Sequence, residues 1–338
     1  MGMTISNSLV FDFSNKITCY YQGNPDKCNP GSKHLDPRIL PDECDAILYE
    51  KFDIDQKSVI NVDEELLDSV TALNKPVIVA LARKEFYSGW SAALTKDGNA
   101  EETKILCEFA IKHNVKGYSL WYLAPNDDEA VDKNVAINTI PYIKQLKKMC
   151  PFLIIAVSIA SIPKYLSNKD MYNFKELNKV VTYYDIDTAM LNECNPGLYN
   201  GVTPITKNAT CLYGLEEVIE NLKKTEICFN KLSFSIPLFT VENVNNTYPS
   251  YTDMCSEGKF DNLTWCVQTS QNYYDKGKYL QALPAGITVS GLDWDDYGNT
   301  CKCKSAFNGF YNILAGYRSG SVIPCAMFDV QSTVYPIK

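Results

Sequence analysis

PVIVALARKEFYSGWSAALTKDGNAEETKILCEFAIKHNVKGYSLWYL, residues 76–123, is the stretch that decides how this chain folds. Its first seven residues, PVIVALA (76–82), are apolar throughout, which suits a strand buried on both faces better than the in-out alternation of a half-exposed one. ETKILCEFAIKH (102–113) then places apolar residues at helical spacing, and YSLWYL (118–123) is a second strand-length apolar run. Two fully buried strands joined through a helix are the repeating unit of parallel α/β folds.

The same unit recurs in both directions along the 338 residues. Strand-length runs are ITCYY (17–21), AILY (46–49), FLIIAVSI (152–159), IDTAML (186–191), LSFSIPLF (232–239) and GITVSGLD (286–293). Helical patterns lie at EELLDSVTAL (64–73), NTIPYIKQLKKM (138–149), GLEEVIENLKK (214–224) and KSAFNGFYNILAGY (304–317). Eight strands, most followed by a helix, close into a barrel more readily than they form an open sheet. The competing fold is a doubly wound sheet. No GxGxxG or GxxxxGK[ST] run follows the first strand, which counts against nucleotide binding. The expected fold is therefore α/β, a (β/α)₈ TIM barrel over residues 17–338 behind an N-terminal extension of residues 1–16. Residues 241–285 are polar, hold two Asn-x-Thr sequons and the pair Cys255 and Cys266, and break the repeat. They read as an insertion at the barrel mouth, between strands seven and eight, tied by a Cys255–Cys266 disulfide of its own.

A net charge of −8 excludes an extended basic surface for nucleic acid or acidic lipid. No apolar run approaches the roughly 18 residues of a membrane-spanning helix. The opening MGMTISNSLVFDF lacks the basic start and apolar stretch of a secretory leader, so such a leader has either been removed or was never there. Thirteen cysteines dispersed along the chain, beside only two histidines (His34 and His113), do not form a chelating cluster. They read as disulfides made in an oxidising compartment. Sequons at Asn208, Asn245 and Asn262 point the same way, so the chain is expected to be secreted and glycosylated. The odd cysteine count leaves a thiol free or available for a disulfide-linked dimer.

CYY at Cys19–Tyr21 with Cys44 ahead of the second strand, AVSIAS at 156–161, IPLF at 236–239 and LDWDDYGNTC at 292–301 occur in an order that resembles the family 18 glycoside hydrolases, the chitinases and chitinase-like lectins. The resemblance implies a Cys19–Cys44 disulfide and a bond from Cys301 or Cys303 to Cys325. It also implies where chemistry would reside. The family's fourth strand carries DGxDxDxE, whose Glu protonates the leaving oxygen while the preceding Asp orients the substrate's acetamido group. Here that stretch is KGYSLWYLAP (116–125), which puts Ser119, Trp121 and Leu123 at the positions of the last two Asp residues and the Glu. Proton donation to a glycosidic oxygen is worth about 10²–10⁴-fold, and leucine has no proton to give. No carboxylate occurs from Lys116 to Asn126. The resemblance therefore implies an inactivated hydrolase rather than an enzyme.

Family aromatic residues on strands two, three and eight correspond to Lys51, approximately Arg83, and Ser290, and a Tyr-Asp pair on strand six corresponds to Asn192-Glu193. Loss of these rings removes most of the expected stacking surface for a pyranose. Lys51, Arg83, Trp121, Asn192 and Glu193 are then the candidate ligand-binding residues. The three charged ones either pair with one another and plug the groove or line a pocket for a small or anionic ligand. Trp121 either fills the barrel or stands as a new platform in its mouth. Asp293, Asp295 and Asp296 are expected to structure the end of strand eight, and no metal or cofactor is implied. The expected function is binding of a glycan or an extracellular protein receptor, without nucleic acid or membrane insertion. Two other readings stand beside it: an extracellular structural or storage protein, and a glycosidase with a relocated site using Glu193 with Asp295 or Asp296.

Overall fold

The computed structural model describes residues 12–23, 35–50, 52–126, 129–194, 202–205, 212–242, 248–257 and 265–329. Eight parallel strands form a closed barrel: β1 (Ile17–Tyr21), β2 (Ala46–Tyr49), β3 (Val77–Arg83), β4 (Gly117–Leu120), β5 (Ile154–Ala160), β6 (Tyr183–Asp187), β7 (Leu232–Pro237) and β8 (Gly286–Ser290). Each pairs with the next in chain order. The circle closes where β8 returns to β1, with Ile17 opposite Ile287 and Tyr20 opposite Ser290. Around it run α1 (Glu64–Thr71), α2 (Ala100–Lys112), α3 (Lys133–Met149), α4 (Phe174–Val180), α5 (Leu215–Lys223), α6 (Ser270–Gln281) and α7 (Asn308–Tyr317). This is the expected (β/α)₈ barrel.

Strand alternation divides the core into two layers. Outward residues such as Cys19, Tyr21, Ile47, Tyr49 and Val79 pack beneath the helices. Inward residues, among them Tyr20, Leu48, Ile78, Ala80 and Tyr183, form a separate cluster inside the barrel. Phe13, just ahead of β1, stacks on Tyr183 with ring centres 3.9 Å apart and fills the N-terminal end. On β4 a Cβ at Gly117 would lie 2.2 Å from the carbonyl oxygen of Ile154, so only glycine allows β4 and β5 to approach this closely.

The strands follow the apolar runs except for the sixth. Expected over residues 186–191, it occupies Tyr183–Asp187 instead. Its sequence, YYDID, sends Tyr184 and Ile186 outward into the core and Tyr183, Asp185 and Asp187 inward. The two carboxylates interrupt the apolar run, which moved the reading downstream.

Five disulfides join described residues. Cys19–Cys44 forms, and Cys303 is the cysteine that bonds Cys325. Cys107–Cys150 ties α2 to the end of α3. The expected Cys255–Cys266 bond does not form: Cys266 bonds Cys194, in the loop after β6, and Cys255 bonds Cys301, in the loop after β8. Cys266 sits on a two-residue strand, Trp265–Cys266, paired antiparallel with Val241–Glu242, whereas Cys255 lies on the helix Tyr251–Glu257. The two sulfurs thus belong to different elements and tie the segment to two barrel loops instead of to itself. Within residues 241–285, α6 packs on α7 in the outer helix ring.

Cys228 is a free thiol. Lys51, Cys28, Cys211 and the three sequon asparagines, Asn208, Asn245 and Asn262, lie outside the described residues. No helix among the described residues is long and apolar enough to cross a membrane.

Candidate functional site

Inward positions near the C-terminal ends of β4 to β8 carry small or polar side chains: Ser119, Ser158, Asp185, Ser235, Thr288 and Ser290. They cannot fill the barrel to its mouth, and a cavity of about 350 Å³ opens there. This is the face on which barrels of this kind place their sites.

One wall is built on β1 and β4. Tyr20 and Trp121 stack with ring centres 5.5 Å apart. The Trp121 indole donates to Ser119 Oγ at 3.1 Å, and the Trp121 backbone carbonyl accepts from Trp90 Nε1 at 2.6 Å, so side chain and backbone are each fixed by one hydrogen bond. Beyond it Tyr122 is 43% exposed and meets Phe86 edge-on at 4.9 Å. Both residues have positive φ, +59° and +49°, a backbone conformation that costs energy for bulky side chains and collects at functional sites. Leu123 lies in the cavity lining and is 4% exposed.

The opposite wall is Phe239 and Trp294, edge-to-face at 5.6 Å. Trp294 reaches its place because the chain turns back at Gly291, whose φ is +83°. A Cβ there would lie 2.2 Å from Cε3 of the Trp294 ring. A third side comes from Tyr165, which donates to the Pro125 carbonyl at 2.8 Å, and Tyr172, whose hydroxyl accepts from the Ala160 N–H at 3.0 Å. Aromatic side chains thus line the cavity, although Ser290, one of the positions where the resemblance implies a lost ring, carries none.

Two carboxylates from β6 complete the cavity. Asp185, 3% exposed, accepts from Ser235 Oγ at 3.2 Å. Burial pushes its carboxyl up to about 7; the nearby Asp187 charge adds to this, while the Thr288 and Ser235 hydroxyls oppose it. Asp187 turns its carboxylate into the open cavity and accepts from the Ala189 N–H at 3.3 Å. The protein around it also raises its pKa above the ordinary carboxylate range. Beside the first wall, burial and then the Glu50 carboxylate hold the Tyr20 hydroxyl well above its ordinary value. The buried Oε2 of Glu50 has no hydrogen-bond partner among the described residues.

Of the candidate ligand-binding residues, Trp121 lines the cavity. Arg83 does not. It is 1% exposed, lies over the Trp90 ring and pairs with Glu102 of α2 in the barrel wall. It ends β3 pointing outward, because inward and outward positions alternate and Ala80 is inward. Asn192 is also absent from the cavity: its side chain holds the loop after β6 through the carbonyls of Val202 and Tyr213 at 3.1 and 2.8 Å. Glu193 is exposed on the same loop and pairs with neither Arg83 nor the cavity. Both follow from the true end of β6 at Asp187, several residues earlier than expected. The acidic run after β8 is structural. Asp293 accepts from the Gln22 and Gly23 N–H groups, Asp295 from those of Gly309 and Phe310, and Asp296 from those of Thr300 and Cys301.

Sequence reading missed Asp185, Asp187 and Trp294. The signal was present in YYDID, where two acids at spacing two inside an otherwise apolar run must share one face of a strand.

No family model and no curated protein matches the chain. Solved structures do. Catalytic domain 2 of the Ostrinia furnacalis Group II chitinase shares 15% identity, with a TM-score of 0.76, over 93% of this chain and 99% of that one. A Glu-to-Leu variant of that domain has been solved with a chito-oligosaccharide and matches with a TM-score of 0.75, at 15% identity over the same shares. Human YKL-39, described as a pseudo-chitinase with retained chitooligosaccharide binding, shares 13% identity over 89% of this chain and 99% of its own, with a TM-score of 0.70. At such identities the likeness is one of fold.

Proposed function

We propose that this chain is a secreted, non-catalytic chitinase-like protein that binds a saccharide in the cavity at the barrel mouth. The observation that carries the reading is the pairing of Leu123 with two tryptophans. Where the family resemblance aligns the proton-donating Glu, the cavity presents a leucine, while Trp121 and Trp294 offer broad faces suited to a pyranose. Two of the similar structures support it: a pseudo-chitinase that keeps chitooligosaccharide binding, and a Glu-to-Leu variant that holds a chito-oligosaccharide. Five disulfides favour an extracellular setting.

One observation favours a second reading. Asp185 and Asp187 both reach the cavity, and Asp185, held up to about 7, keeps its proton near neutral pH as a relocated general acid must. Calorimetry and product analysis with N-acetylglucosamine oligomers decide between the two. The binding reading expects saturable binding with no new reducing ends. Turnover abolished by Asp187→Asn would establish the hydrolase instead.

A further inference from the structure

Burying a carboxylate such as Asp185 beneath an aromatic cavity is costly unless something positive joins it, and Asp187 stands exposed in the same cavity mouth with its acceptor sites turned to the ligand space. Among the described residues that line the cavity none is Lys, Arg or His. The titratable groups facing Asp185 and Asp187 are acids and phenols: each other, then Tyr122, Tyr172 and Tyr183, with Glu50 behind Tyr20. Lys164, beside Tyr165, is exposed and sits over that ring. Among the described residues the Asp187 carboxylate accepts one hydrogen bond, from a backbone N–H, whereas a carboxylate has about four acceptor sites. The surrounding rings, indoles above all, present the negative faces that attract cations. Acids without a countercharge among the described lining residues, acceptor capacity left open and aromatic walls together describe a receptor for an organic ammonium.

We propose that the cavity selects a saccharide carrying a free, protonated amine, an unacetylated amino sugar, whose ammonium pairs with Asp187 and Asp185 while its ring lies on the aromatic walls. The inference rests on the saccharide-binding reading and narrows its ligand class. A neutral acetamido sugar gives these carboxylates no charge to pair with. An anionic sugar would be repelled.

The sign of the pH dependence follows from the raised carboxyls. In mild acid Asp185, held up to about 7 by its burial, keeps its proton and offers an ammonium no charge; toward neutral pH it ionises on contact with it. Affinity for an amine that stays protonated throughout, such as spermidine, therefore rises with pH between about 5 and 7.5, the range spanning the Asp185 value of about 7, whereas affinity for an acetylated sugar does not.

The test is titration calorimetry of the intact protein with the tetramers of glucosamine and N-acetylglucosamine, and with spermidine, at pH 5 and 7.5. Glucosamine tetramer is expected to bind at least tenfold more tightly than its acetylated counterpart at pH 7.5, a preference that vanishes in Asp187→Asn, and spermidine, protonated throughout, is expected to bind more tightly at pH 7.5 than at pH 5. Equal or stronger binding of the acetylated tetramer overturns the inference and leaves the saccharide reading intact. Spermidine binding with neither tetramer bound keeps the ammonium site and sinks the saccharide reading. Binding of none sinks both. The pH comparison uses the unmodified protein, so it decides even if Asp187→Asn folds poorly.

Discussion

Arg83 and Glu102 meet inside the barrel wall, each 1% exposed, and the Tyr142 hydroxyl donates to the same Glu102 oxygen at 2.6 Å. Ser58 Oγ binds the other carboxylate oxygen at 3.0 Å. The pair joins the end of β3 to α2 and takes no part in the cavity.

Removing one partner leaves the other as an isolated buried charge. Arg83→Met or Glu102→Leu should therefore cost about 3–5 kcal/mol of stability, and the double replacement much less than the sum. Denaturant unfolding of the three variants checks this. Saccharide affinity of whatever remains folded should be unchanged, and a specific loss of binding would return Arg83 to the site.

Asp185 should make the protein less stable as pH rises. Its folded carboxyl holds its proton up to about 7 against an ordinary 3.8, so the proton favours the folded state fully below 3.8 and the benefit is lost as pH climbs to about 7. By the size of that shift, ionisation weakens the fold by up to roughly 4 kcal/mol. Asp185→Asn is expected to raise the melting temperature at pH 8 relative to wild type by more than it does at pH 4. Melts showing the reverse order would mean that Asp185 is charged and paired in the folded chain.

Trp121→Ala and Trp294→Ala should each weaken saccharide binding by about 1–3 kcal/mol, the scale of an aromatic contact surface returned to water. Gly291→Ala should do so indirectly, because its Cβ collides with the Trp294 ring. Tryptophan fluorescence titration reads all three, and undiminished affinity in both tryptophan variants would place the sugar elsewhere.

Non-reducing peptide mapping should recover Cys194 with Cys266 and Cys255 with Cys301. The first bond spans 72 residues, so in the chain-entropy picture its loss in Cys266→Ser costs about 4 kcal/mol. Finding Cys255 joined to Cys266 would restore the self-contained insertion.

Much of the barrel was legible because strands buried on both faces leave unbroken apolar runs and seven of the eight did so. The sixth was displaced because Asp185 and Asp187 are polar on an inward face that elsewhere is apolar or small. Two acids inside an otherwise apolar strand run against the folding pattern, and it is at such points that the pattern misleads. That one slip carried Asn192 and Glu193 into the candidate site and kept the β6 acids out. Arg83 was misplaced by a smaller error, one step of alternation at the end of β3. Trp294 was hidden because its route to the cavity depends on the left-handed turn at Gly291, which no local composition announces. The disulfide partners of Cys194, Cys255 and Cys266 depend on which loops neighbour one another around the circle, information that spacing does not contain.

The two bridges that anchor the segment after β7 attach it to the loops after β6 and β8, on either side of it. Neither bridge spans the strands themselves, so barrel closure and rim integrity answer to different chemistry. Reducing these two bridges would unfasten the loops around the opening from one another. The ligand recognition proposed for this opening is thereby tied to the redox state of its surroundings.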